Sequence, residues 1–199
     1  MQVEHKNRLL AVNEEGSALI SGAMKGRAQH VNQLDGGVYV IMIGTTAVPI
    51  VPTAGSDYFF RLENTSKTHN IVVYNLLFSD TVGVTGQVTL VFDPTGDGST
   101  AAPTTVTPAN LNATSDNAAD AACITDPDLG AGASGIVDDS GRVIMELTVA
   151  AATAEVNYAF AAGLFLPPGH SLVLRDSGAG KLTGFVGRMS FLYTPVDPT

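Results

Sequence analysis

The chain has 199 residues, 45% of them apolar, with 19 acidic and 10 basic side chains, a formal charge of −9 and a single cysteine. That length supports a full hydrophobic core without staples, one cysteine excludes an intrachain disulfide and any CxxC metal site, and no apolar run approaches the ~20 residues of a membrane helix. The charge excess sits in one segment: between Asn70 and Gly141 there is no Lys, Arg or His but nine of the 19 acids, which leaves ten acids against ten bases elsewhere. A surface of that kind repels phosphate backbones, so nucleic-acid binding through it is not expected.

Residues 1–36 read as an N-terminal arm with little core of its own. Met1 to Lys6 lacks the apolar stretch of a signal peptide, so a cytoplasmic origin without export by the usual route is the expectation. Arg8–Asn13 and Ser17–Ser21, separated by Glu14-Glu15-Gly16, suit a small hairpin. The competing reading is a frayed helix through Met24, weakened by Gly16, Gly22 and Gly26 at ~1 kcal/mol each. Isolated hairpins of this size are marginal in water. The arm's apolar runs and bases (Leu9, Leu10, Val12, Leu19, Ile20, Lys25 and Arg27) are therefore the candidate interface residues.

From Gly37 onwards the chain reads as strands, a domain spanning 37–199. Val38–Ile43 follows Gly36-Gly37, and the two prolines between Gly44 and Gly55 mark an edge or a connection. In Asp57–Glu63, alternation places Tyr58, Phe60 and Leu62 on one side and Phe59, Arg61 and Glu63 on the other. Asn70–Phe78 is apolar on both faces, as a central strand covered on both sides reads. In Gly86–Phe92, Val88, Leu90 and Phe92 oppose Gln87, Thr89 and Val91.

A long acidic connection, residues 93–141, opens with the turn cluster Asp93–Ser99. Loops of that length rarely lack structure, so short strands are expected around Thr104–Thr107 and Ala121–Thr125, with one helical turn open to Asn117–Ala122. Clear strands return at Val143–Val149, where Val143, Met145, Leu147 and Val149 alternate with Ile144, Glu146 and Thr148. They continue at Glu155–Leu166, at Leu172–Arg175, and from Phe185 to a close at Thr194-Pro195. Seven to nine strands with no strong helix predict an all-β fold, an antiparallel two-sheet β-sandwich with a jelly roll as its expected form.

Asp57-Tyr58-Phe59-Phe60, Thr68-His69-Asn70-Ile71, Thr107-Pro108-Ala109-Asn110-Leu111-Asn112 and Leu166-Pro167-Pro168-Gly169-His170-Ser171-Leu172 occur in that order, before a Tyr193-Thr194-Pro195 end. Over about Asp57 to Pro195 the chain resembles small tailed-bacteriophage virion structural proteins. The resemblance implies a virion component assembled in the host cytoplasm, a head decoration (cement) protein docking on the major capsid protein. It implies a homo-oligomer, with a trimer favoured, and no catalysis or cofactor. A tail or fibre protein that binds a receptor or carbohydrate is the alternative.

The residues themselves point the same way. Ser134 in Gly-Ala-Ser-Gly lacks the spacing of a nucleophile elbow. Gly178-Ala179-Gly180-Lys181 lacks the upstream glycine and the following hydroxyl of a phosphate loop. The four histidines are scattered beside turn residues, and Glu146 and Glu155 do not form a glycosidase pair. No catalytic residue is assigned. Asp93, Asp97, Asp126 and Asp128 are weak calcium candidates, hard oxygen ligands on loops that do not match the EF-hand pattern; capping of turns is the preferred reading. Sugar stacking wants exposed aromatics, and without tryptophan only Tyr158 and Phe165 are candidates.

Overall fold

In this computed structural model the described residues are 2–5, 8–11, 37–53, 57–81, 86–99, 102–137, 142–149, 155–177 and 182–196. At the N-terminus β1 (Gln2–His5) pairs antiparallel with β2 (Arg8–Ala11), closing on His5 opposite Arg8. The expected strand from Arg8 is present, but the partner seen is the segment before it; Ser17–Ser21 and the helix reading through Met24 lie outside the described residues.

The remaining strands are β3 (Val38–Ile43), β4 (Tyr58–Asn64), β5 (His69–Asp80), β6 (Gly86–Phe92), β7 (Thr104–Thr105), β8 (Ala109–Asn110) and β9 (Ala121–Thr125). They are completed by β10 (Arg142–Val149), β11 (Val156–Leu166), β12 (Ser171–Asp176) and β13 (Phe185–Pro195). They form two antiparallel sheets, one ordered β10-β6-β12-β4-β9-β7 and the other β11-β5-β13-β3-β8. The two sheets pack face to face as a β-sandwich. If the eight long strands are counted in chain order, one sheet runs 1-8-3-6 and the other 2-7-4-5, with β8 and β9-β7 added at the edges.

Between the sheets lies a core with Ile41, Phe59, Phe60, Leu76, Leu90 and Phe191 at its centre, all fully buried. Phe185 joins Phe59 and Phe78 in one ring cluster, with centroids 4.9 and 5.7 Å away. Each such side chain contributes about 1.5–3 kcal/mol by leaving water. The double-sided run is β5: Ile71, Val73, Leu76 and Phe78 face the core, while Val72 and Tyr74 lie against Val38 and Leu192 on the other side of the sheet.

Two bulges change the expected alternation. In β4 the register against β12 shifts between Phe60 and Tyr58. Phe59 thereby joins Phe60 in the core, and Tyr58 is turned to the outer face beside Val91 and Val173. Burying a second ring against Phe185 outweighs a disturbed ladder bond, as bulges allow. In β10 the shift falls between Val143 and Met145, so Ile144 and Met145 both pack on the core and Val143 is left exposed.

Asn117–Ala122 is not a helical turn. Tyr39 Oη donates to Ala118 O at 3.2 Å, Thr65 N–H donates to Asp120 O at 3.1 Å, and Ala121 already pairs with Asn64 in β9. Neighbouring strands claim the backbone groups that a helix would need, and alanine's helical preference is overridden.

Candidate functional site

Two pieces of the acidic connection lace together over the outer face of the six-stranded sheet. Leu129 N–H donates to Tyr58 O at 2.8 Å, Ile136 N–H to Leu129 O at 2.8 Å, and Val137 N–H to Thr95 O at 2.9 Å. The amides of Asp97 and Gly98 both donate to Ser134 O, at 3.1 and 2.9 Å. Leu129 and Ile136 are buried against Tyr58, Val91 and Val173. The brief apolar pieces of the connection thus act as anchors, and two of its stretches, 93–99 and 126–137, form a layer of the protein.

Beside this layer is a cleft of about 430 Å³, lined by Asp57, Tyr58, Asp128, Gly130, Ile136, Val137 and Arg175. The Arg175 guanidinium lies over the Tyr58 ring, 5.8 Å from its centroid, a cation–π contact that fixes its position. Asp126 Oδ1 accepts from the Asp128 amide at 2.8 Å and fixes the turn that carries Asp128. Sequence reading singled out Asp126 and Asp128 but missed Asp57, Tyr58 and Arg175. Arg175 was missed because the bulge that turns Tyr58 outward leaves no trace in the alternation.

Asp93 organises a second cluster. Its φ of +48° is in the left-handed region. Its Oδ2 lies 2.8 Å from His170 Nδ1 and 3.4 Å from Arg142 Nη2, and its Oδ1 accepts from Ser171 N–H at 2.9 Å. Ser171 enters only through its main chain, so the cluster ties the start of the connection to the Pro167–His170 turn. Sequence reading offers Asp93 as a weak calcium ligand; the structure surrounds it with three donors from two segments. Asp97 accepts from Ser99 N–H at 2.9 Å, within its own turn. Among the described residues, no three His, Cys, Asp or Glu side chains gather in a way that would hold a metal.

Burial pulls the Asp93 carboxyl upward, but the hydrogen bonds and charge of His170, the Ser171 amide and Arg142 outweigh it and hold the group below its ordinary value. A carboxyl depressed on folding adds stability that is present above its unfolded pKa, about 3.9, and is lost as pH falls through its folded value. The melting difference between the native chain and Asp93→Asn is therefore expected to be largest near neutral pH and to close below about pH 4. A difference that stays constant down to pH 2 would assign the cluster's contribution to shape rather than to charge.

The outer face of the five-stranded sheet is different in kind. Pairing aligns Phe165, Val72, Leu192 and Val38 in one row, in which Val72, Leu192 and Val38 are buried. A parallel row crosses Asn157, Leu77, Arg188 and Met42. Phe165 is 54% exposed and Met42 48%. Across the five strands, the only Asp, Glu, Lys or Arg residues are Asp80, which is buried, and Arg188. Of the two aromatic sugar-stacking candidates, Phe165 is exposed, whereas Tyr158 stacks inward on Phe78 at 5.8 Å. Of the interface candidates, Leu9 and Leu10 fall on β2, opposite Glu4 and Val3. Val12, Leu19, Ile20, Lys25 and Arg27 lie outside the described residues.

Cys123 is buried in the core, which pushes its thiol up to about 12 and makes it unsuited to nucleophilic work. Comparisons with family models, with curated proteins and with solved structures return no match.

Proposed function

We propose that the chain is a non-enzymatic structural subunit of a phage particle, a head decoration protein that docks on the capsid shell through the outer face of its five-stranded sheet. The observation that carries this reading is the contrast between the two faces. One presents the half-exposed Phe165 and Met42 with a single arginine; the other carries the acidic layer. Depletion of charge with retained apolar and aromatic surface is how the centre of an interface differs from the rest of a protein surface. The strand orders 1-8-3-6 and 2-7-4-5 support the jelly-roll reading, an architecture that viral capsid and lectin domains share; that support is analogy at the level of fold. The major capsid protein is the proposed partner, and sister copies, as a trimer, are the proposed assembly.

Met42→Glu combined with Phe165→Glu tests it. Both side chains are about half exposed, so the melting temperature is expected to hold within a few degrees. Co-sedimentation with shells lacking the protein is expected to fall about tenfold or more, as for charges placed in an apolar contact. Occupancy equal to the native chain would remove this face from the docking surface. The cleft over the other sheet favours the alternative, a tail or fibre protein that holds a carbohydrate.

A further inference from the structure

We propose that the cleft beside the 126–137 layer binds a neutral saccharide, with one sugar ring held among Asp57, Asp128 and Arg175. Its volume of about 430 Å³ falls within the roughly 300–1,000 Å³ of small-molecule sites. The lining sets a few polar groups in apolar surroundings, as such sites do. The charges decide the class of ligand. Two carboxylates repel an anion, and a guanidinium repels a divalent cation, which would in any case need about six to eight oxygens. A sugar hydroxyl donates and accepts at once, so adjacent hydroxyls satisfy a carboxylate and a guanidinium side by side.

The site is also built to keep its shape. Tyr58, only 4% exposed, is not available for stacking; it forms the floor under Arg175. The C–H face of a ring meets the 42%-exposed Val137 instead. Gly130 keeps the mouth open, since a Cβ there would come 3.2 Å from Asp128 Oδ1 and crowd that carboxylate. Because 126–137 is pinned by its own backbone bonds, little ordering is left to oppose binding. The cleft and the docking face belong to different sheets, so either assignment stands or falls without the other.

The test uses the full chain with neutral probes, namely methyl glycosides and short oligosaccharides of glucose, galactose, mannose and N-acetylglucosamine, with sialyllactose as the anionic comparison. Saturation-transfer NMR identifies binders and calorimetry measures them. At least one neutral probe is expected to bind saturably. Asp128→Asn and, separately, Arg175→Lys are expected to weaken it about tenfold or more, while Glu146→Gln on β10 leaves it unchanged. Asp128 sits on a loop, so its variant keeps the test decisive even if Arg175→Lys perturbs the fold. The proposal is overturned if no neutral probe saturates by about 10 mM, if sialyllactose binds best, or if Asp128→Asn binds as the native chain does.

Discussion

Replacing Asn64 with leucine is expected to lower the unfolding free energy by about 2–4 kcal/mol, and the melting temperature by roughly 5–15 °C for a chain of this size. Asn64 is fully buried at the end of β4. Its Nδ2 donates to Leu166 O at 2.8 Å and to His69 O at 2.9 Å, and its Oδ1 accepts from Ser66 N–H at 3.0 Å. The first two acceptors belong to the five-stranded sheet, so one amide stitches the two sheets together. Leucine has the same branched skeleton and is larger, so no cavity is left, and the loss reads the hydrogen bonds together with some crowding. Two carbonyls and an amide would be left to find other partners, and an unsatisfied buried group costs about 1–3 kcal/mol. Thermal and urea unfolding followed by circular dichroism measure the loss. A change below about 1 kcal/mol would mean that water or a local shift replaces the stitch.

Gly135→Ala is expected to open the layer over the six-stranded sheet. A Cβ at Gly135 would stand 2.0 Å from Gly130 O, and one at Gly96 would stand 2.1 Å from Gly135 O. Both obstacles are backbone, so no side chain can swing away, and in Gly135→Ala the 130–135 turn within the 126–137 stretch must open. The expected loss is about 2–4 kcal/mol, with hydrogen exchange accelerated at the amides of Leu129, Ile136 and Val137 before the strands are affected. Gly169→Ala is the internal control. Its φ of +78° carries the strain of a left-handed residue, but a Cβ there meets nothing within 4 Å, so it should cost about 1 kcal/mol. Equal effects of the two variants would show that the close approach of Gly135 to Gly130 does not set the cost.

The strands were legible because their two faces differ in chemistry. β13 alternates from Phe185 to Tyr193 without a break in its inward row, and Gly86–Phe92 matches β6 to the residue. Alternation failed at Phe59 and Ile144, where a bulge puts two neighbours on one side. A bulge is decided by the ring or side chain waiting across the core, and local sequence does not contain that information. The candidate cleft was hidden for the same reason. Asp57, Asp128 and Arg175 are far apart in the chain, and they converge only because 126–137 folds back onto β4 and β12. Asp93 was noticed for its carboxylate, but its partners, Arg142 and His170, stand 49 and 77 residues away.

The order of strands also sets a timetable for synthesis. β13 lies between β5 and β3, and β12 between β6 and β4, so the two latest of these strands in chain order are inserted into the middle of both sheets. Until Phe185, Met189 and Phe191 emerge, β3 and β5 have no strand to join them, and their apolar faces wait uncovered. At about 5–20 residues per second, that interval lasts several seconds. The nascent chain is therefore open to chaperones, and to sister chains on the same message, until β13 has been made.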